Sequence, residues 1–134
     1  MKVLEGGCLC GAVRYRLFAA PSAVFYCHCR MCQKHAGGPF LAFLTVAADA
    51  VQWSGEPAVW RSSDIAVRAH CGTCGTPLYW QGDDLKDEYD IALATLDEPD
   101  VFPPREHLWT ESARAWPVIE DGLPRHARER DGSG

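Results

Sequence analysis

Long apolar runs are missing from this chain, and so is any tract of basic residues. The longest apolar stretch, Phe40 to Ala48, is interrupted by Thr45 and ends at Asp49. A bilayer-spanning helix needs about 20 apolar residues, so no membrane partner is expected. Lysine and arginine together number 13 against 18 aspartates and glutamates, a formal net charge of −5. Without a cationic stripe to meet phosphates, general nucleic-acid binding is not expected either. The opening "MKVLEGGCLC" has one lysine and no apolar centre of a signal peptide. Internal repeats and low-complexity segments are lacking, and helix signals are scarce. These absences leave a soluble domain, with a cytoplasmic location as the expectation.

What the chain has in excess is cysteine. Seven occur in 134 residues, an odd number that cannot pair completely. A reducing compartment also disfavours a disulfide framework. Metal ligation is then the leading use of the thiols. They fall into three groups: Cys8-Leu9-Cys10, Cys27-His28-Cys29-Arg30-Met31-Cys32 and Cys71-Gly72-Thr73-Cys74. On a strand, residues i and i+2 point to one face, so each C-x-C can aim two sulfurs at one ion. A C-x-x-C does the same around a tight turn. Four thiolates select zinc or iron, and zinc takes them tetrahedrally.

Two partitions build a four-thiolate site. One joins Cys8 and Cys10 to Cys71 and Cys74, leaving Cys27, Cys29 and Cys32 as a trio. The other joins Cys29 and Cys32 to Cys71 and Cys74 as a zinc ribbon. Glycine follows both Cys10 and Cys74, where it lets the chain turn with backbone N–H groups toward the sulfurs. Gln33 follows Cys32, so the glycines favour the first partition. The trio then has three ligands and an open position, as in a catalytic zinc site. His28 or His35 as a fourth ligand would close it.

The rest reads as short strands. "AVRYRLF" alternates Val13, Tyr15 and Leu17 with Arg14 and Arg16, and "AVFY" leads into Cys27. "FLAFLTV" is apolar on both faces, the mark of a buried central strand. "SGEP" is turn chemistry that predicts a hairpin between Val51–Trp53 and Ala58–Arg61. "AVRAH" and "PLYW" flank the late C-x-x-C. "YDIALATL" puts Ile91 and Leu93 on one face, and a short apolar piece spans His107 to Trp109. At most one or two helical turns follow Cys32. The expected fold is all-β: a single domain over residues 1–127, with a loose polar tail over 128–134.

From "GGCLCGAVRY" through "YCHCRMCQKHAGGPF", "SGEPAVWRSS" and "HCGTCGTPLYW" to "ATLDEPD" and "HLWTESARAWPVIEDGLPRH", the chain resembles the glutathione-dependent formaldehyde-activating enzymes. One departure is His70, where the family commonly has an aromatic residue. The resemblance implies several short coiled antiparallel β-sheets built around a structural zinc, held by Cys8, Cys10, Cys71 and Cys74. It implies a second zinc, linked to activity, at Cys27, Cys29 and Cys32. It further implies reversible addition of a small thiol, glutathione, to an aldehyde such as formaldehyde. In reverse this is a carbon–sulfur lyase reaction of the S-hydroxymethylglutathione synthase kind.

Three thiolates on a zinc leave a formal charge of −1. Arg30, Lys34 and His35 are therefore candidates to offset that charge and to bind the substrate's carboxylates. Trp109 and Trp116 are candidates to roof the site, while His107 reads as packing. Two other functions fit the cysteines alone: a non-catalytic zinc domain that binds a protein partner, and a thiol–zinc redox sensor.

Overall fold

The computed structural model describes residues 2–130, and its ten strands form two sheets. The smaller has three antiparallel strands in the order β1 (Leu4–Gly7), β2 (Arg14–Leu17), β5 (Val51–Ser54). The larger has seven. Its order is β10 (Glu106–Leu108), β3 (Ala23–Cys27), β4 (Leu41–Ala47), β9 (Glu88–Ala92), β8 (Pro77–Gly82), β7 (Ala66–His70) and β6 (Ala58–Ser63). Every pairing is antiparallel except β10 with β3, which is parallel. Among the described residues one α-helix occurs, α1 (Arg30–Ala36). The molecule is mostly β, as the alternation of apolar residues implies.

The register of the large sheet separates two faces with different chemistry. Val24, Leu44, Ile91, Tyr79 and Ala69 are matched across five strands, and all are buried. They pack with Leu4, Tyr15 and Leu17 of the small sheet to form the main core. The next residue along each strand faces the other way. That opposite face carries a second matched row, Ala23, Thr45, Asp90, Trp80 and Arg68. Beyond Ala23 it is a row of polar and aromatic groups on a sheet that otherwise buries apolar ones. α1 lies over this face.

Two expectations need correction. The Val51–Trp53 and Ala58–Arg61 segments do not form a hairpin, because β5 pairs with β2 and β6 with β7. "SGEP" turns the chain from one sheet to the other. The helix begins at Arg30 rather than after Cys32, because the Cys29 sulfur caps it by accepting from the Cys32 N–H at 3.3 Å. Of the expected tail, residues 128–130 are described. The Trp109 N–H donates to the Arg128 carbonyl at 2.9 Å, and Arg130 pairs with Glu106 at 2.8 Å. Residues 131–134 of that expected tail lie outside the described residues.

Candidate metal centres and the cleft beside them

Cys8 follows β1 and Cys71 follows β7, so the first cluster forms where the two sheets meet. The Cys8 and Cys10 sulfurs are 3.6 Å apart and those of Cys10 and Cys71 are 3.8 Å apart. All four sulfurs, with Cys74, lie within 4.8 Å of one another. Both turns are built alike. The Gly11 N–H donates to the Cys8 carbonyl and the Gly75 N–H to the Cys71 carbonyl, each glycine with a left-handed φ near 80° (81° and 82°). The sulfurs receive other N–H groups: Val13 on Cys8 at 3.3 Å, Thr73 and Cys74 on Cys71 at 3.4 Å.

The second cluster is the trio. Cys27 ends β3, Cys29 caps α1, and Cys32 lies one turn into the helix, buried. Its three sulfurs also fall within 4.8 Å, with Cys27 and Cys29 3.5 Å apart. The two clusters could each hold a metal ion. Four sulfurs at tetrahedral corners about a zinc, with bonds near 2.3 Å, stand roughly 3.8 Å apart. The observed spacings fit that edge, and a pure sulfur donor set suits zinc. The ribbon partition is not what the fold builds, since Cys29 and Cys32 cluster with Cys27 and not with Cys71 and Cys74.

Hydrogen bonds from Cys27 and Cys32 hold the Cys29 thiol down at about 2. A hydrogen bond from the Thr76 hydroxyl holds Cys74 down at about 5. Each cluster thus presents a ready thiolate, and metal binding would release the remaining thiol protons.

Neither histidine of the segment joins the trio. His28 Nε2 lies 2.8 Å from His107 Nδ1, and His107 Nε2 lies 2.8 Å from Asp121 Oδ2. Burial, ahead of the neighbouring His107, holds the His28 imidazole down at about 4, so it is neutral. His107 is fully buried and stacks on Tyr26 at 4.7 Å. It packs, as its apolar setting implied, and it also anchors the loop that carries the trio. The Gln33 amide adds a second anchor, donating to the carbonyls of His28 and Ser112 at 2.6 and 2.9 Å.

The trio forms one wall of a cavity of about 690 Å³ on the polar face of the large sheet. Arg68, Trp80 and Trp109 line it beside the sulfurs. Trp109 takes a left-handed φ of 60°, a strained setting for an aromatic residue and one that clusters at functional sites. Farther along lie Glu88, Asp90, Glu106 and Glu129 with Arg130. Burial, followed by the charges of Glu88 and Glu129, pushes the Asp90 carboxyl up to about 7. The Thr45 hydroxyl, 2.6 Å away, and Arg130 oppose that shift.

The sequence candidates fare unequally here. Arg30 is exposed, bonds to the Gln33 side chain, and lines no wall of the cavity. Lys34 and His35 line a separate, smaller cavity. Trp109 lines the main cavity, whereas Trp116 is 69% exposed and does not. The cation against the trio is Arg68, which sequence reading passed over. It is 7% exposed and its Nη2 donates to the Cys32 sulfur at 3.3 Å. One signal was available: "AVRAH" places a lone arginine between Ala66 and His70 on one face of a short strand that leads directly into the late C-x-x-C.

A mostly β protein whose seven cysteines form a four-sulfur and a three-sulfur cluster is a narrow class. The family model described as "Glutathione-dependent formaldehyde-activating enzyme" matches residues 3–112. The chain belongs to this family. It is 32% identical over 91 residues to an "Uncharacterized lyase" of Schizosaccharomyces pombe, covering 68% of this chain and 66% of that protein. It is 30% identical over 141 aligned positions to a Halomonas elongata protein named "Putative glutathione-dependent formaldehyde-activating enzyme", covering 96% of this chain and 85% of that one. A crystal structure of a Rhodobacter sphaeroides protein has the same fold, with a TM-score of 0.58 and 22% identity, over 74% of this chain and 91% of that one.

Proposed function

We propose that the chain holds zinc at both cysteine clusters and catalyses the reversible addition of a small thiol, glutathione, to formaldehyde. The observation that carries this reading is the trio: three sulfurs within 4.8 Å, with no fourth Cys, His, Asp or Glu beside them among the described residues, in the wall of a cavity large enough for a tripeptide. Cys8, Cys10, Cys71 and Cys74 hold the structural ion. Cys27, Cys29 and Cys32 hold the second. A zinc ion with an open position supplies a site where an incoming thiol is acidified and kept near its partner.

The residues of the chain do the rest. Arg68 sets a buried positive charge against the Cys32 sulfur, offsetting the excess negative charge of three thiolates. Its guanidinium also favours the thiolate form of a substrate sulfur brought to the trio. Trp80 and Trp109 border the cavity and displace water from the aldehyde, which would otherwise stay hydrated. In the forward direction the thiol sulfur forms a bond to the formaldehyde carbon, the carbonyl π pair moves to oxygen, and the thiol proton ends there. In reverse, the carbon–sulfur bond breaks and the hydroxyl proton returns to sulfur. No oxidant or reductant is needed.

Magnetisation-transfer NMR tests this directly, because free formaldehyde hydrate and the thiol adduct exchange in solution. With 13C-formaldehyde and glutathione, zinc-loaded protein should raise the exchange rate well above the spontaneous one. S-methylglutathione, which has no thiol proton, should give no adduct and should bind much more weakly. An exchange rate unchanged by stoichiometric zinc-loaded protein would defeat the enzyme reading.

A further inference from the structure

Three polar side chains run in a line behind the trio, from the protein interior to its surface. His28 Nε2 lies 2.8 Å from His107 Nδ1, and His107 Nε2 lies 2.8 Å from Asp121 Oδ2. His28 and His107 are 2% and 0% exposed, whereas the Asp121 side chain is 29% exposed. Asp121 stands beyond residues 3–112, the span of the family match. The C-terminal segment is folded back so that this carboxylate meets the buried histidines. The His107 N–H donates to the Pro124 carbonyl and the His126 N–H to the His107 carbonyl, both at 2.8 Å. The Leu123 N–H donates to Asp121 Oδ1 at 3.0 Å and fixes the direction of the carboxylate.

The protons along this line follow from its outer end. The Leu123 N–H first, and then His107, holds the Asp121 carboxyl below its ordinary range. It is therefore ionised and only accepts. His107 carries its proton on Nε2, its Nδ1 accepts, and His28 donates from Nε2. Each ring is thus held in one tautomer by the group outside it.

The inner end of the line is placed between two ligands. Cys27 ends β3, and Cys29 keeps an extended backbone with φ −63° and ψ 154°. Both sulfurs therefore leave one side of the chain, and the His28 ring leaves the other. Holding that ring fixes the segment from which the two sulfurs project, 3.5 Å apart. We propose that Asp121 is a positioning residue for the second metal ion, acting through His107 and His28 to keep Cys27 and Cys29 at the spacing that retains it. The inference rests on the reading of the trio as a metal site.

Competition with a chromophoric chelator measures zinc affinity at each cluster in the wild type, Asp121→Ala, His107→Phe and the double variant. Phenylalanine at 107 keeps a ring to stack on Tyr26 and removes both hydrogen bonds. Asp121→Ala should weaken zinc binding at the trio about tenfold, the lower end for groups that orient metal ligands. The lower end applies because Gln33 still holds the His28 carbonyl. The four-cysteine cluster should keep its affinity. With cobalt in place of zinc at the trio, the visible thiolate–cobalt bands should shift, a signature that a merely stabilising residue would not move. The double variant should lose no more than His107→Phe alone, since a residue acting through another has nothing left to add. If His107→Phe does not fold, the affinities and spectrum of Asp121→Ala decide alone. An Asp121→Ala protein with unchanged trio affinity and cobalt bands overturns the proposal and leaves the two-metal reading standing. So does weakening of both clusters alike, which marks a structural residue, and so do additive losses in the double variant. A wild type that takes up only one ion overturns the reading of the trio and the inference with it.

Discussion

Asp90 shows how one residue can carry both structure and a measurable titration. Its carboxyl lines the cavity, receives the Thr45 hydroxyl, and sits near Glu88 and Glu129 with Arg130 opposing them. Glu106 lines the same region. An aspartate in an unfolded chain titrates near about 4, whereas here the value is pushed up to about 7. A carboxyl whose pKa rises on folding holds its proton more tightly in the native state. Its stabilising contribution is complete below about 4 and is lost as pH climbs through about 7. The melting temperature should therefore fall from pH 5 to pH 8 by more in the wild type than in Asp90→Asn, which keeps a partner for Thr45 and removes the titration. Parallel melting profiles would show that the carboxyl is not desolvated. Arg68 makes the complementary point: it was hidden in the sequence because burial is a property of the register, not of the residue. Arg30, Lys34 and His35 stood out because they flank the cysteines in sequence, whereas the guanidinium that reaches the Cys32 sulfur comes from a strand 36 residues away.

At the scale of elements, two short turns do most of the assembly. The Cys8–Gly11 and Cys71–Gly75 turns each fold a carbonyl onto a glycine N–H, and that requires the left-handed backbone. A Cβ at Gly75 would meet nothing within 4 Å, so Gly75→Ala isolates the backbone effect. It should cost roughly 1–2 kcal/mol, the left-handed penalty for an L-residue, and should speed zinc loss to a chelator. Denaturant unfolding and chelator kinetics measure the two. An unchanged chelation rate would mean that the turn does not preorganise the sulfurs. These turns were legible in the sequence, since the glycines after Cys10 and Cys74 are a local signal. The strands were legible for the same reason, through alternation in "AVRYRLF" and apolar runs such as "FLAFLTV". Pairing was not. "SGEP" has hairpin chemistry, yet Leu17 of β2 takes Val51 as its partner, a contact between residues far apart in sequence. The start of α1 was also concealed, because a cysteine rather than serine or aspartate caps it.

For the whole molecule, the four-cysteine cluster is the joint between the two sheets, with Cys8 and Cys71 in the same buried core as Tyr15, Leu44 and Ile91. A structural four-thiolate zinc contributes on the order of 10–16 kcal/mol of apparent binding energy, as much as the entire net stability of a typical domain, about 5–15 kcal/mol. Cys71→Ser should therefore yield unfolded or insoluble protein. A soluble, zinc-free Cys71→Ser variant with native-like melting would remove the joint from the account. The trio lies on the opposite face of the large sheet, away from that joint, and is supported by His28, His107 and Gln33. That separation makes one measurement decisive: zinc content and formaldehyde–glutathione exchange rate determined on the same preparation of Cys29→Ser. The account predicts a folded protein that carries one zinc where the wild type carries two, with exchange at the spontaneous rate. A Cys29→Ser protein that keeps wild-type exchange would contradict it, as would one that loses both metals together.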